Sequence, residues 1–177
     1  MSLHLIEIVP ASTGKEAVRG LLDTVSAAVS ENGAELIESQ VTADQGRVFV
    51  IVEADVADGL ADQVRSALGD AATEVTGPDA VRLVGAELED IKKLRSSVDY
   101  LVEWDIPAEI TMEQYLARKK ANSPKYAEVP EVSFLRTYVR EDTAKCLCFY
   151  NAPDEDAVER ARQAVGTPFD RMFKLDI

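Results

Sequence analysis

The chain has 177 residues, 46% of them apolar and 29% charged, and a net charge of −13. That length admits one domain or two small ones, and no run approaches the roughly 18–20 apolar residues of a membrane span. A surface this acidic repels phosphate backbones and anionic bilayers, so neither nucleic acid nor membrane is an expected partner. The opening Met1-Ser2-Leu3-His4 lacks a charged n-region and a cleavage site, so no signal peptide is expected and the cytoplasm is the expected compartment. Cys146 and Cys148 are the only cysteines. They are expected as free thiols in a reducing compartment.

In chain order, Leu3–Val9 is a short apolar run ended by Pro10 and reads as a strand. Val18, Leu21, Leu22, Val25, Ala28 and Val29 recur at helical spacing, so the pattern predicts a helix over Lys15–Glu31, stopped by Asn32-Gly33. Glu35–Val41 and Arg47–Ala54 read as strands around the turn Ala43-Asp44-Gln45-Gly46. Val56–Leu68 reads as a second helix, and Asp79–Val84 as a short strand after Gly77-Pro78. This is the βαββαβ plan of ferredoxin-like domains. Glu87–Arg95 is polar and helical in propensity, which suits a linker helix.

The plan then starts again. Val98–Asp105 reads as a strand, and Thr111 caps a helix over Met112–Asn122. Val132–Arg140 and Ala144–Asn151 form a hairpin, Asp154–Val165 is a helix, and Phe169–Asp176 closes the set. Local similarity supports the duplication. Val48-Phe49-Val50-Ile51-Val52 reads onto Cys146-Leu147-Cys148-Phe149-Tyr150, and Leu5-Ile6-Glu7-Ile8 onto Leu101-Val102-Glu103-Trp104. The expected fold is α+β, with tandem ferredoxin-like repeats at 1–86 and 98–177 joined by a linker at 87–97. One such copy leaves an apolar sheet face uncovered by its helices. Packing the two faces together predicts an intramolecular pseudo-dimeric α+β barrel within a monomer.

Tyr100–Pro107, Phe134–Asp142, Cys148–Val158 and Gly166-Thr167-Pro168-Phe169-Asp170-Arg171 resemble a bacterial family of small ferredoxin-like domains of unknown function. That family includes a nickel-binding protein and lies near the dimeric α+β barrel superfamily. The resemblance covers residues 98–177, with 1–86 as a degenerate copy, and implies a metal or small-ligand site. Nickel-binding members are expected to use histidine before the Gly-x-Pro turn. Here that span, Glu159–Val165, has none, and His4 is the only histidine. Nickel is therefore not carried over to this chain.

Strand alternation assigns side chains to faces. Toward the barrel interior it places Leu101, Glu103 and Asp105 with Phe134, Arg136, Tyr138, Cys146, Cys148 and Tyr150. From the first copy it adds Leu5, Glu7, Leu36, Glu38, Gln40, Val48, Val50 and Val52. Toward the helices it places Val102, Trp104, Leu147 and Phe149, with Ile6, Ile8, Phe49 and Ile51. Buried charge must be paired. Glu103 and Arg136 are thus expected either to fix register as an ion pair or to bind a polar ligand with Tyr138, Tyr150, Glu7 and Glu38. Cys146 and Cys148, with Cα atoms roughly 6.5–7 Å apart, are candidate ligands for a soft metal, with Glu103 or His4 beside them. Arg118-Lys119-Lys120 closes a helix, where cations favour the dipole, and offers an anion-binding patch as the functional alternative.

The expected function is non-catalytic binding of a small molecule or metal ion inside the barrel. The alternatives are a cofactor-independent barrel enzyme, monooxygenase-like or isomerase-like, and an acidic interaction module. No phosphate loop, nucleophile elbow or zinc spacing occurs in the sequence, and no cofactor is named by it.

Overall fold

The computed structural model describes residues 2–93 and 97–176. The chain divides into two compact units, with the division falling within one strand, after Val81. The first unit holds β1 (Ser2–Pro10), α1 (Lys15–Glu31), β2 (Glu35–Val41), β3 (Val48–Ala54), α2 (Leu60–Leu68) and most of β4 (Ala72–Val84). Its strands run β2-β3-β1-β4, every neighbour antiparallel. After α3 (Leu88–Lys93) the second unit holds β5 (Tyr100–Asp105), α4 (Met112–Asn122), β6 (Ser133–Arg140), β7 (Lys145–Asn151), α5 (Glu155–Ala164) and β8 (Arg171–Lys174). Its order is β6-β7-β5-β8, again antiparallel. Residues 94–96, in the expected linker, lie outside the described residues.

α1 has the predicted bounds because its apolar stripe is unbroken. Val18, Leu21, Val25, Ala28 and Val29 are buried. Asn32 then donates through Nδ2 to the Ala28 carbonyl at 2.7 Å, and Gly33 takes a positive φ of 75°. α2 starts at Leu60 and not at Val56, because Gly59 before it is left-handed (φ 79°) and Val56 is 73% exposed. α4 begins with a reciprocal capping box. The Gln114 amide donates to the Thr111 hydroxyl at 3.2 Å, and the Thr111 amide donates to Gln114 Oε1 at 3.0 Å. Thr111→Ala should therefore lower unfolding free energy by about 1 kcal/mol, read as a lower urea midpoint at unchanged slope.

β4 is longer than expected. Gly77-Pro78 does not precede the strand; it forms a bulge inside it. Leu5 pairs with Asp79 and Glu7 with Thr76, so both bulge residues oppose Ile6.

The face assignment needs a larger correction. Directly opposed residues of an antiparallel pair share a face. Leu101 opposes Phe149 and Glu103 opposes Leu147, whereas Val102 opposes Cys148 and Trp104 opposes Cys146. Cys146, Cys148 and Tyr150 therefore point to the helices, in one core with Val102, Trp104, Val139, Tyr115, Val158 and Ala161. Leu147 and Phe149 take the other face. A register shift between Phe134 and Arg136 turns Phe134 toward the helices, packed against the Cys146–Cys148 core. Arg136 lies with Phe149 on the opposite side. In the first unit Val48, Val50, Val52 and Leu36 likewise belong to the helix-side core, with Ile6 and Ile8. Phe49 opposes Glu7 and Ile51 opposes Leu5.

Candidate ligand site

On the face away from its helices, the second unit holds a compact charge network. Glu103 is fully buried. Lys145 Nζ donates to its Oε1 at 3.0 Å, and Arg171 Nε donates to its Oε2. Arg171 also grips Asp105 in a fork, at 3.1 and 2.6 Å. Those bonds from Arg171 hold the Asp105 carboxyl below its ordinary range and raise the guanidinium above its own. The partners of Glu103 are thus Lys145 and Arg171. The Arg136 guanidinium lies over the Phe149 ring, 5.1 Å from its centroid. Tyr138 meets the same ring edge-on at 5.6 Å. In the first unit Arg47 lies 3.6 Å from Glu7, and Gln40 donates to Glu38 at 3.0 Å. His4 sits on β1, its Nε2 3.1 Å from the Ser2 hydroxyl, and partial burial lowers its pKa.

The expected set is therefore divided. Glu103, Arg136 and Tyr138 share one face of the second sheet, Tyr150, Cys146 and Cys148 occupy the other, and Glu7 and Glu38 belong to the first unit. Glu103 cannot be a third metal ligand beside the cysteines, because it lies across the sheet from them. Among the described residues no group of three or more His, Cys, Asp or Glu side chains is placed to hold a metal ion.

The helix side carries more chemistry. Cys146 and Cys148, two apart on β7, bring their sulfurs to 4.0 Å. Thr137, opposite on β6, donates its hydroxyl to Cys148 Sγ at 3.2 Å. Arg162 reaches in from α5 and is only 3% exposed. Its Nη1 donates to Cys148 Sγ at 3.5 Å and to the Tyr150 hydroxyl at 3.1 Å, and its Nη2 donates to the Pro168 carbonyl. Its Nε is buried and meets no acceptor among the described residues. The Tyr126 and Tyr150 hydroxyls are 2.6 Å apart.

Of these groups Cys146, Cys148, Arg162 and Tyr126 line a cavity of about 20 Å³, bounded also by Trp104, Tyr115, Arg118, Lys119 and Thr167. That is room for one water-sized occupant. The charges set the protonation states. The hydrogen bond from Cys146, and the nearby Lys119 and Arg162 charges, hold the Cys148 thiol well below its ordinary pKa although burial opposes this. The same hydrogen bond, with burial, holds Cys146 protonated. Burial pushes Tyr126 up to about 12 and raises Tyr115 and Tyr150 further. Burial works against the charge on Arg162, but Cys148 and Tyr150 outweigh it. The arrangement is a buried cysteine–guanidinium pair beside a small void, with a second cysteine in contact and the Cys148 thiol pKa drawn down.

Arg162, Thr137, Tyr115 and Tyr126 were not singled out from sequence. A signal for Arg162 exists. Val158, Ala161, Arg162 and Val165 are spaced as one helical stripe, so the arginine occupies a core position.

No protein of curated function matches the chain. Among solved structures, a provisionally assigned monooxygenase from Lactobacillus acidophilus NCFM superposes with a TM-score of 0.54 at 10% identity, covering 99% of this chain and 94% of that one. A provisionally assigned chlorite dismutase, TA0507, gives 0.55 at 12% identity, covering 100% and 96%. Identities this low speak to fold alone, and the fold they indicate is α+β. SCO4226 from Streptomyces coelicolor A3(2) aligns at 17% identity and a TM-score of 0.39, over 44% of this chain and 95% of its own. No helix among the described residues is long and apolar enough to cross a membrane. Residues 100–175, the stretch that carries the whole cysteine–arginine cleft, match the family of nickel responsive protein SCO4226-like.

Proposed function

We propose that this chain is a non-catalytic binding protein that takes a small anionic molecule into the helix-side cleft of its second unit. One observation carries the reading. The chain has 32 acidic and 19 basic side chains, yet the cleft is lined by Arg118, Lys119 and Arg162 and by no carboxylate. Even with Cys148 as a thiolate, the lining is net positive. In an acidic molecule such a pocket concentrates anions against the surrounding field. Trp104, Tyr115 and Tyr126 provide the apolar wall, and the free Arg162 Nε–H is an unused donor for an anionic oxygen. Arg118 and Lys119 are held over aromatic rings, at 5.6 Å from Trp104 and 4.3 Å from Phe134. They are thereby positioned at the mouth before any ligand arrives.

We further propose that the two units act together in a cytoplasmic monomer; the α+β neighbours, each matched over nearly the whole chain, are consistent with a single two-unit protein. Titration calorimetry with acetate, nitrate and inorganic phosphate, each of which can seat a single oxygen in the water-sized cavity with the rest of the ion at its mouth, tests the anion site. At least one should bind, with affinity falling as salt rises and dropping roughly tenfold in Lys119→Gln. Binding of none, or binding indifferent to Lys119→Gln, would sink the reading. The family's description raises nickel as the competitor. A stoichiometric nickel adduct in native mass spectrometry, lost in Cys146→Ser, would replace the anion reading with a metal one.

A further inference from the structure

We propose that Cys148 is a peroxide-oxidised sulfur, held and activated by Thr137, Arg162 and Cys146. This shares the cleft with the binding function above but does not rest on it.

Four observations converge on that sulfur. Thr137 Oγ1 donates to it at 3.2 Å and Arg162 Nη1 at 3.5 Å, and the Cys146 sulfur lies 4.0 Å away. Two donors aimed at one sulfur, with a second thiol in hydrogen-bond reach, stabilise its anionic form, the form that attacks. The lowered pKa of Cys148 agrees with this geometry. The cavity beside it is about 20 Å³, so it admits a molecule little larger than water and excludes bulky oxidants. The fourth observation is the unsatisfied Nε of Arg162, which is only 3% exposed. A buried N–H without an acceptor is costly. A peroxide oxygen seated in the cavity would accept from it while the other oxygen faces the sulfur. Structural burial of a cysteine explains none of the four.

The step balances without a further reactant. The Cys148 thiolate donates an electron pair to one oxygen of hydrogen peroxide, and the O–O bond breaks. Cys148 becomes a sulfenic acid and hydroxide departs, taking the Cys146 proton to form water. Sulfur is oxidised and peroxide reduced. Arg162 offsets the charge that builds on the departing oxygen. The Cys146 thiolate can then attack the Cys148 sulfur, forming a disulfide and expelling hydroxide, which takes a proton from solvent.

The test uses the reduced, chelator-treated full chain and hydrogen peroxide, with intact-mass and peptide mapping after sulfenic-acid trapping. In Cys146→Ser, one oxygen should appear on Cys148 and persist. In wild type that oxygen should give way to loss of two hydrogens across the pair. Thr137→Val keeps shape and should slow the oxidation about tenfold. Arg162→Lys, which keeps a buried cation but loses the fork, should slow it roughly 100-fold. Oxygen appearing first on Cys146, or a wild-type rate no faster than that of the urea-unfolded chain, would overturn the proposal. A Thr137→Val rate equal to wild type would do the same. Because the readout is the mass of the oxidised sulfur and not the binding of an anion, the result stands apart from the calorimetric one.

Discussion

Gly77→Ala should destabilise the first unit by about 3–5 kcal/mol, at the top of the range for single substitutions. Gly77 sits in the β4 bulge at φ 107°, a conformation that L side chains rarely adopt. A Cβ there would stand 2.5 Å from the Leu5 carbonyl oxygen and 3.4 Å from the Ile6 Cα. Both obstacles are backbone of the neighbouring β1, so no side-chain rotation relieves the contact. The sheet must open where β1 and β4 pair, or the bulge must migrate and shift the register. A one-residue shift turns every side chain to the wrong face. Gly20 provides the contrast. It lies exposed within α1, and nothing stands within 4 Å of where its Cβ would be. Gly20→Ala should stabilise by about 0.5–1 kcal/mol through helix propensity alone. Urea unfolding of both variants reads the two effects on one scale. If Gly77→Ala unfolds at the wild-type midpoint, the bulge is not held as described.

The same bulge shows why part of the fold was hidden in the sequence. Gly-Pro ordinarily punctuates a chain, so the strand was expected to begin after Pro78. α1 and α4 were legible to the residue, because an unbroken stripe and a capping threonine are local signals. The faces of β3 and β7 were not. Val48-Phe49-Val50-Ile51-Val52 and Cys146-Leu147-Cys148-Phe149-Tyr150 are apolar on both sides, so alternation cannot say which side meets a helix. Register decides it, and register is a property of pairing partners. Phe134 shows the same limit, since the shift before Arg136 separates two residues that strict alternation places together. From this follows the relocation of the candidate site. The polar residues Glu103, Arg136 and Tyr138 were visible as a group, but Glu103 is already bound by Lys145 and Arg171. The thiols lie across the sheet with Arg162, an arginine concealed in an otherwise apolar stripe.

Arg162→Met should cost about 3–5 kcal/mol at pH 8 and clearly less at pH 5. Methionine fills much of the space but donates nothing. It leaves the Pro168 carbonyl without the Arg162 donor and the Tyr150 hydroxyl with Tyr126 alone, a loss that does not depend on pH. The pH-dependent part comes from Cys148. In the wild type its folded pKa is depressed, so the folded state releases that proton before the unfolded state does. Stability from this source is complete above the ordinary thiol value of about 8.5, and it is lost as pH falls through the lower folded value. Cys146 has the opposite sign. Its thiol stays protonated when folded, so above about pH 8.5 it turns the slope downward again. The wild type should therefore gain stability with rising pH up to that point, and Arg162→Met should gain much less, because Cys148 then protonates. Cys148→Ser should flatten the wild-type curve in the same window while keeping the hydroxyl contacts of Arg162. Guanidinium unfolding of the three proteins from pH 5 to 9 decides the matter. Parallel curves would mean that Cys148 is a neutral thiol and that Arg162 serves only Tyr150 and Pro168. Converging curves at low pH would place a buried thiolate–guanidinium pair at the centre of the second unit.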